Sequence, residues 1–178
     1  EIPPKGQHLR VLAAELNRIS SHLLAFGTYG IDIGAFTPFL YAFREREMIL
    51  NFFEKMCGAR LTYNYVRVGG VMRDLPSDLA AEILKFLDYF EDMLTTYDDL
   101  LNYNKIFVER TVNVGVLDAK TAVAWGITGP ALRASGRGGT SFRRAPRSSS
   151  SSSPLRWSAA RWTTSSTRAF GADGDESA

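Results

Sequence analysis

Cysteine is almost absent from this 178-residue sequence, in which Cys57 is the only one. A single cysteine permits no internal disulfide and no cysteine-based zinc or iron–sulfur site within the chain, so a reducing compartment is the default expectation. Histidine is nearly as scarce: His8 and His22 lie fourteen positions apart without an acidic residue at metal-ligand spacing, and we predict no metal site. Residues 1–5 also lack the basic and apolar regions of a secretory signal peptide.

A large excess of charge of one sign is missing as well, since 21 Lys and Arg face 19 Asp and Glu. This balance argues against a protein that binds nucleic acid through a strongly basic surface. The charges are unevenly distributed: residues 1–136 carry a net charge of −2 (14 basic, 16 acidic), and residues 137–178 carry +4 (7 basic, 3 acidic). The positive balance therefore comes entirely from the C-terminal segment.

Residues 137–178 are rich in serine and arginine, with 11 Ser, 7 Arg and no Lys. A segment with so few aliphatic side chains cannot offset the entropy of ordering, about 1–2 kcal/mol per residue. We predict one folded domain over residues 1–136, followed by a low-complexity tail that is disordered, a nucleic-acid-binding arm, or translated out of frame. The last hypothesis is favoured, because arginine without lysine is typical of G+C-rich DNA read in a wrong frame.

The spacing of apolar residues predicts a mainly α-helical domain. We expect an amphipathic helix over residues 6–26, a second helix from Pro38 to about Cys57, a third over residues 78–103 and a short one over residues 118–125. Thr37 and Ser77 are predicted to cap the second and third helices, and Gly58 to close the second. Residues 61–71 are richer in β-branched and aromatic side chains, which predicts a short extended or irregular segment.

One long apolar stretch, residues 23–43, contains Asp32 as its only charge. Its 21 residues could span a bilayer by length alone. Because Gly27, Gly30, Gly34 and Pro38 interrupt the stretch, we predict instead two buried helices joined by a glycine-bearing loop around Asp32.

Asp32 is the most informative single residue in this stretch. A carboxylate in apolar surroundings needs a partner or a proton, since removal from water destabilises its charge. It is therefore a candidate for proton chemistry or for orienting a histidine. The alternative is an aspartate that accepts backbone N–H bonds within the loop over residues 30–34.

Three further groups of polar residues could take part in a site. Glu15, Arg18 and His22 share one helix face, as a polar seam or a structural ion pair. The run at residues 44–47, which includes Arg46 and Glu47, alternates in sign; such runs are usually solvated, although an inward pair could brace a cofactor-bearing partner. The third group contains arginines near Gly69 and Gly70, which could face an anion or a metal cluster in a partner chain: Arg60, Arg67 and Arg73.

Several sequence stretches together resemble one family, the D subunits of NADH-quinone oxidoreductase, or respiratory complex I. The most distinctive is Asp-Ile-Gly-Ala-Phe-Thr-Pro-Phe at residues 32–39. The others are residues 5–12, 15–19, 22–24, 46–47, 58–60, 65–71 and 74–76, with residues 104–112 and 126–136 continuing the likeness. The family is itself similar to the large subunit of nickel–iron hydrogenases, without the metal-binding cysteines.

The resemblance implies a helical core that, beside the iron–sulfur protein of the complex, its B subunit, forms a chamber where quinone receives electrons from the terminal cluster. Asp32 matches the aspartate that pairs with a quinone-binding histidine, and it is the implied catalytic residue. Leu24 and Thr28 match positions that line the quinone cavity. Asp32 would tune the protonation of the histidine, and the energy released would drive ion pumping in the membrane arm.

The family also implies a setting for the chain. The expected partners are complex I subunits B, C, I and H, with quinone as substrate, no nucleic acid, and peripheral attachment to the cytoplasmic side of the cell inner membrane through these partners. The implied structural or cluster-facing polar residues are Glu15, Arg18, His22, Arg46, Glu47, Arg60 and Arg67. No cofactor is expected on this chain alone, and the isolated fragment is expected to be inactive.

The sequence departs from the family in two places. The quinone-contacting histidine and tyrosine would lie upstream of Glu1, and Thr62 stands where many members have a histidine near the terminal cluster. Two alternatives remain: a related membrane-bound hydrogenase large subunit, which would need cysteine pairs to bind nickel, and a helical scaffold module without a redox role.

Overall fold

The computed structural model describes residues 2–135, except for the side chains of residues 129, 130 and 133. The helices are α1 (Pro4–Ile33), α2 (Thr37–Cys57), α3 (Ser77–Tyr97), α4 (Lys105–Thr111), α5 (Ala119–Ala124) and α6 (Gly129–Ala134). A π-helical turn, Asp98–Asn102, continues α3, and a two-stranded antiparallel ribbon pairs β1 (Val66–Arg67) with β2 (Gly70–Val71). The prediction of a mainly α-helical fold is confirmed.

The predicted loop around Asp32 is wrong, because α1 continues through residues 27–33 and ends at Ile33. Glycine in this part of α1 serves helix packing: a Cβ on Gly27 would lie 3.2 Å from the Cα of Phe39 on α2. The turn comes at Gly34, whose φ of 96° is a left-handed conformation that suits glycine. The amide of Ala35 donates to the carbonyl of Gly30 at 2.7 Å and closes the helix end.

Other predicted helix limits need smaller corrections. Thr37 and Ser77 are the first residues of α2 and α3, and neither helix start has a side-chain cap hydrogen bond. The third helix is shorter than expected, since regular α geometry ends at Tyr97 and gives way to the π-helical turn. Helix α4 was not predicted from the sequence; its N-cap is Asn104, whose side chain accepts from the amides of residues 106 and 107.

The core forms where the apolar faces of α1, α2 and α3 meet. Its fully buried side chains include Leu16 and Leu23 from α1, Ile49 and Phe53 from α2, and Phe90 from α3. Each such side chain contributes roughly 1.5–3 kcal/mol relative to an exposed one. The end of α1 and the start of α2, which carry the predicted site, pack closely against each other at Gly27 and Phe39.

The apolar stretch at residues 23–43 is divided between α1 and α2 at Gly34. Within residues 2–135, no helix combines the length and the hydropathy required to cross a bilayer. The predicted tail over residues 137–178 lies outside the described residues.

Candidate functional site

The three residues predicted to contact quinone lie on one face of α1. Leu24, Thr28 and Asp32 are separated by four positions each, so they line up along the helix over about 12 Å. All three side chains are exposed. The hydroxyl of Thr28 donates to the backbone carbonyls of Leu24 at 2.9 Å and Ala25 at 3.2 Å. The structure therefore brings these residues together on an open surface.

Asp32 differs from the sequence-based expectation in its surroundings. Its carboxylate is exposed in the last turn of α1, so it is not desolvated within the part of the chain that the structure describes. Among residues 2–135, no cationic side chain lies within ion-pair distance of it and no backbone amide donates to it. Its carboxylate is available to a group from outside these residues.

Exposed apolar side chains lie at the corner between α1 and α2, close in sequence to Asp32. Ile31, Phe36 and Leu40 are exposed by 38%, 57% and 54%. The rings of Phe36 and Phe39 lie 5.8 Å apart, and those of Phe39 and Phe43 lie 4.1 Å apart. Contiguous exposed apolar surface of this kind typically marks an interaction or ligand-binding surface.

The predicted polar residues fall into separate groups rather than one site. On α1, Glu15 and Arg18 form an ion pair at 3.3 Å, and His22 is half-buried one turn further along. On the other side of α2, Arg60 pairs with Glu47 and, at 2.9 Å, with Glu54. These contacts, led by the hydrogen bond to Glu54, raise the pKa of Arg60.

The remaining two arginines of the predicted set differ in exposure. The guanidinium of Arg46 lies 5.4 Å from the ring centre of Phe43, and its Nε is buried without a hydrogen-bond acceptor among the described residues. Arg67 lies on the β1 strand, is exposed, and donates from Nε to the carbonyl of Asn64 at 3.4 Å. Of these two arginines, Arg46 is the one that contacts the aromatic cluster of Phe36, Phe39 and Phe43.

Two hollows on the surface of the described residues lie away from this face. One of about 510 Å³ lies between α2 and α3 and is lined by Met48, Asn51, Phe52, Glu54, Lys55 and Glu82. The other, of about 180 Å³, is lined by Ala13, Ala14, Asn17, Phe53, Tyr63, Asn64, Tyr65 and Val66. Neither includes Leu24, Thr28 or Asp32.

Sequence reasoning missed the burial of one carboxylate, that of Glu45. Its side chain is fully buried between α2 and α3. Tyr89 donates to Oε1 at 2.7 Å, Tyr97 donates to Oε2, and the guanidinium of Arg44 lies 2.7 Å from Oε1. The signal was present in the sequence, because Glu45 occupies the apolar stripe of α2 between the buried residues Ala42 and Ile49.

Tyr97 is held in its neutral form by this arrangement. Burial raises the pKa of Tyr97 well above its ordinary value of 10.0, and the hydrogen bond to Glu45 raises it further. The phenol can therefore act as a donor to Glu45 throughout the range in which an exposed tyrosine begins to ionise.

This shift predicts that alkaline pH destabilises the chain. A raised folded-state pKa gives stability that is complete below pH 10 and is lost as pH rises toward the folded value, by about 1.4 kcal/mol per pH unit for one phenol. Urea unfolding between pH 8 and pH 11 should show this loss, and Tyr97→Phe should reduce its slope. Parallel curves for the two proteins would contradict the assignment.

The fold indicates the structural class to which the chain belongs. A chain of the membrane-bound sulfane sulfur reductase, an archaeal respiratory membrane complex, is similar to it with a TM-score of 0.77 and 33% sequence identity. The similarity covers 82% of this chain and 39% of that chain. The class is thus a helical fold that also occurs in a respiratory membrane complex.

The family match identifies the chain more specifically than the structural class does. Residues 32–145 match the family described as the 49 kDa subunit of respiratory-chain NADH dehydrogenase. The chain belongs to this family, which confirms the resemblance found in the sequence.

Curated relatives agree with this assignment. The D subunit of NADH-quinone oxidoreductase from Akkermansia muciniphila is 52% identical over 136 residues, which cover 76% of this chain and 33% of the relative. Its counterpart from Chlorobium chlorochromatii is 52% identical over 76% of this chain and 34% of the relative, and that from Bacillus anthracis is 49% identical over 76% and 37%. The chain therefore spans about a third of the length of the curated relatives it matches.

Proposed function

We propose that the chain forms part of the wall of the quinone-reduction chamber of NADH-quinone oxidoreductase. The observation that carries this proposal is the single exposed face formed by Leu24, Thr28 and Asp32 beside an exposed apolar corner, in a chain of this family. A quinone has an apolar ring and two carbonyl oxygens that must receive protons when it is reduced. An apolar surface with one carboxylate suits such a substrate.

The hydrogen-bonding capacities of these residues limit what each can do. The single hydroxyl hydrogen of Thr28 is used by backbone carbonyls, so Thr28 can offer only an acceptor. An ionised Asp32 is also acceptor-only, whereas a quinone carbonyl needs a donor. Asp32 therefore acts through another group: it accepts from an imidazole and stabilises its protonated form, which in turn donates to the quinone oxygen.

The donor and the electrons come from outside the described residues. We assign the donor to the family histidine upstream of residue 1, and the electrons to an iron–sulfur cluster in the B subunit of the complex. Leu24 and Thr28 line the path beside Asp32, and subunits C, I and H complete the surroundings at the cytoplasmic side of the inner membrane. Coupling of this reaction to proton translocation in the membrane arm is part of the proposal.

The proposal predicts that added bulk at Leu24 obstructs quinone. In the full-length subunit within the assembled complex, Leu24→Trp is expected to raise the KM for quinone about tenfold, because the larger ring occupies space needed by the substrate. The matched control is Val11→Trp, since Val11 is exposed to the same extent on α1 (39% against 40%) but lies about 20 Å away along the helix. Equal KM values in the two variants would refute a quinone contact at Leu24.

A further inference from the structure

The C-terminal end of α1 is stabilised by an arginine from a distant part of the chain. Helix α1 has no basic residue in its own last turn. Instead, Nη1 of Arg110, on α4, donates a hydrogen bond to the backbone carbonyl of Ile33. Ile33 follows Asp32 directly, so this bond is made at the peptide next to the carboxylate proposed to orient the imidazole.

Helix α4 holds Arg110 in a defined place. Phe107 is buried, and its ring packs edge-on against that of Tyr29 on α1, with 5.9 Å between the ring centres. Asn104 caps the helix, and Thr111 donates to the carbonyl of Phe107 at 2.8 Å. Arg110 lies one turn from Phe107, so the contact between α4 and α1 fixes its approach to Ile33.

The turn after α1 leaves room for the guanidinium. A Cβ on Gly34 would lie 3.3 Å from Nη1 of Arg110, closer than most side-chain contacts. The left-handed φ of Gly34 independently favours glycine. Glycine at position 34 meets both requirements, the left-handed φ and the space for the guanidinium. Arg110 can therefore approach the last carbonyls of α1.

We propose that Arg110 is a positioning residue for the quinone site, an inference that rests on the proposed function. The last carbonyls of a helix carry a partial negative charge, and the carboxylate of Asp32 adds a full one in the same turn. Arg110 compensates for both from the backbone side. Because its hydrogen bond goes to Ile33 and not to the carboxylate, Asp32 remains free to accept from a donor on the quinone side.

The test uses the full-length subunit in the assembled complex, with quinone reduction measured per assembled complex. Arg110→Gln is expected to lower kcat about tenfold with the KM for quinone within twofold of wild type, because a small displacement of Asp32 slows the chemical step more than binding. Arg110→Lys keeps the charge without the guanidinium geometry. Its kcat is expected to lie between those of the wild type and Arg110→Gln, at about a third of the wild-type value. The control is Lys105→Gln, another exposed cation of α4, whose variant should keep wild-type kcat.

Each result decides between positioning and a purely structural role. Wild-type kcat per complex in Arg110→Gln, or an equal loss in Lys105→Gln, would overturn the inference. If Arg110→Gln prevents assembly, Arg110→Lys decides, and full kcat in that variant would overturn it. If Asp32→Asn slows quinone reduction and Arg110→Gln does not, the proposed function stands and this inference fails; if neither variant slows the reaction, both fail.

Discussion

Replacing Asp32 with asparagine in the full-length subunit is expected to lower quinone reduction by the assembled complex about 100-fold. The amide is nearly the same size but carries no charge, so it cannot stabilise a protonated imidazole. Loss of a positioned proton-handling group typically costs 10²–10⁴ in rate. Because Asp32 is exposed in the described part of the chain, the substitution should leave the fold and the amount of assembled complex unchanged.

The matched control for this substitution is Asp88→Asn. Asp88 is an exposed carboxylate on α3, outside the proposed quinone face. Its variant removes the same charge from the same polypeptide and should keep the wild-type rate. If Asp32→Asn also keeps the rate within twofold, the proposed role of Asp32 is refuted.

The second large effect is expected on stability, from Glu45→Ala. The substitution removes the acceptor for the hydroxyls of Tyr89 and Tyr97 and leaves a cavity between α2 and α3. An unsatisfied buried donor costs about 1–3 kcal/mol, so we expect a total loss of about 3–5 kcal/mol. That loss is a large part of the 5–15 kcal/mol by which domains of this size are typically stable.

Urea unfolding of the chain at pH 7, followed by circular dichroism, measures this effect. The control is Glu47→Ala, two residues along the same helix, where an exposed ion pair with Arg60 is lost. Exposed pairs of this kind contribute at most about 1 kcal/mol. Equal unfolding midpoints for the two variants would show that the buried network does not stabilise the contact between α2 and α3.

Much of the helical fold could be predicted because its signals are local. The apolar stripe of α3 and the glycine that ends α2 at Gly58 each lie within a few residues of the structure they specify. The short helix capped by Asp118 was also predicted to within one residue at each end. Local periodicity and capping residues were sufficient in these segments.

The errors arose where distant segments decide the structure. Gly27 was taken as a helix breaker, but the close approach of Phe39 on α2 makes glycine favourable inside α1. The spacing of α2 places Glu45 in its apolar stripe, but the two tyrosines that donate to the buried carboxylate lie 44 and 52 positions away. Helix α4 has only seven residues, and the packing of Phe107 against Tyr29 stabilises it. None of these contacts can be inferred from local spacing.

The candidate site was likewise predictable only where its signals are local. Several stretches, of which residues 32–39 are the most distinctive, identified the family, and the resemblance assigned Leu24, Thr28 and Asp32 to one site. Local patterning nevertheless assigned Asp32 to a glycine-bearing loop between two helices, whereas it lies exposed on a continuous helix. The contact of Arg110 with Ile33 spans 77 positions and had no local signal.

The central claim, that quinone binds against this face of α1, can be tested by photolabelling. A photoreactive quinone analogue is irradiated in the intact complex, and the labelled peptides are identified by mass spectrometry. Trypsin releases residues 19–44 as one peptide, which contains Leu24, Thr28 and Asp32. We predict label on this peptide within residues 24–32, suppressed by an excess of unlabelled quinone. Competable label elsewhere, with this peptide unlabelled, would contradict the account.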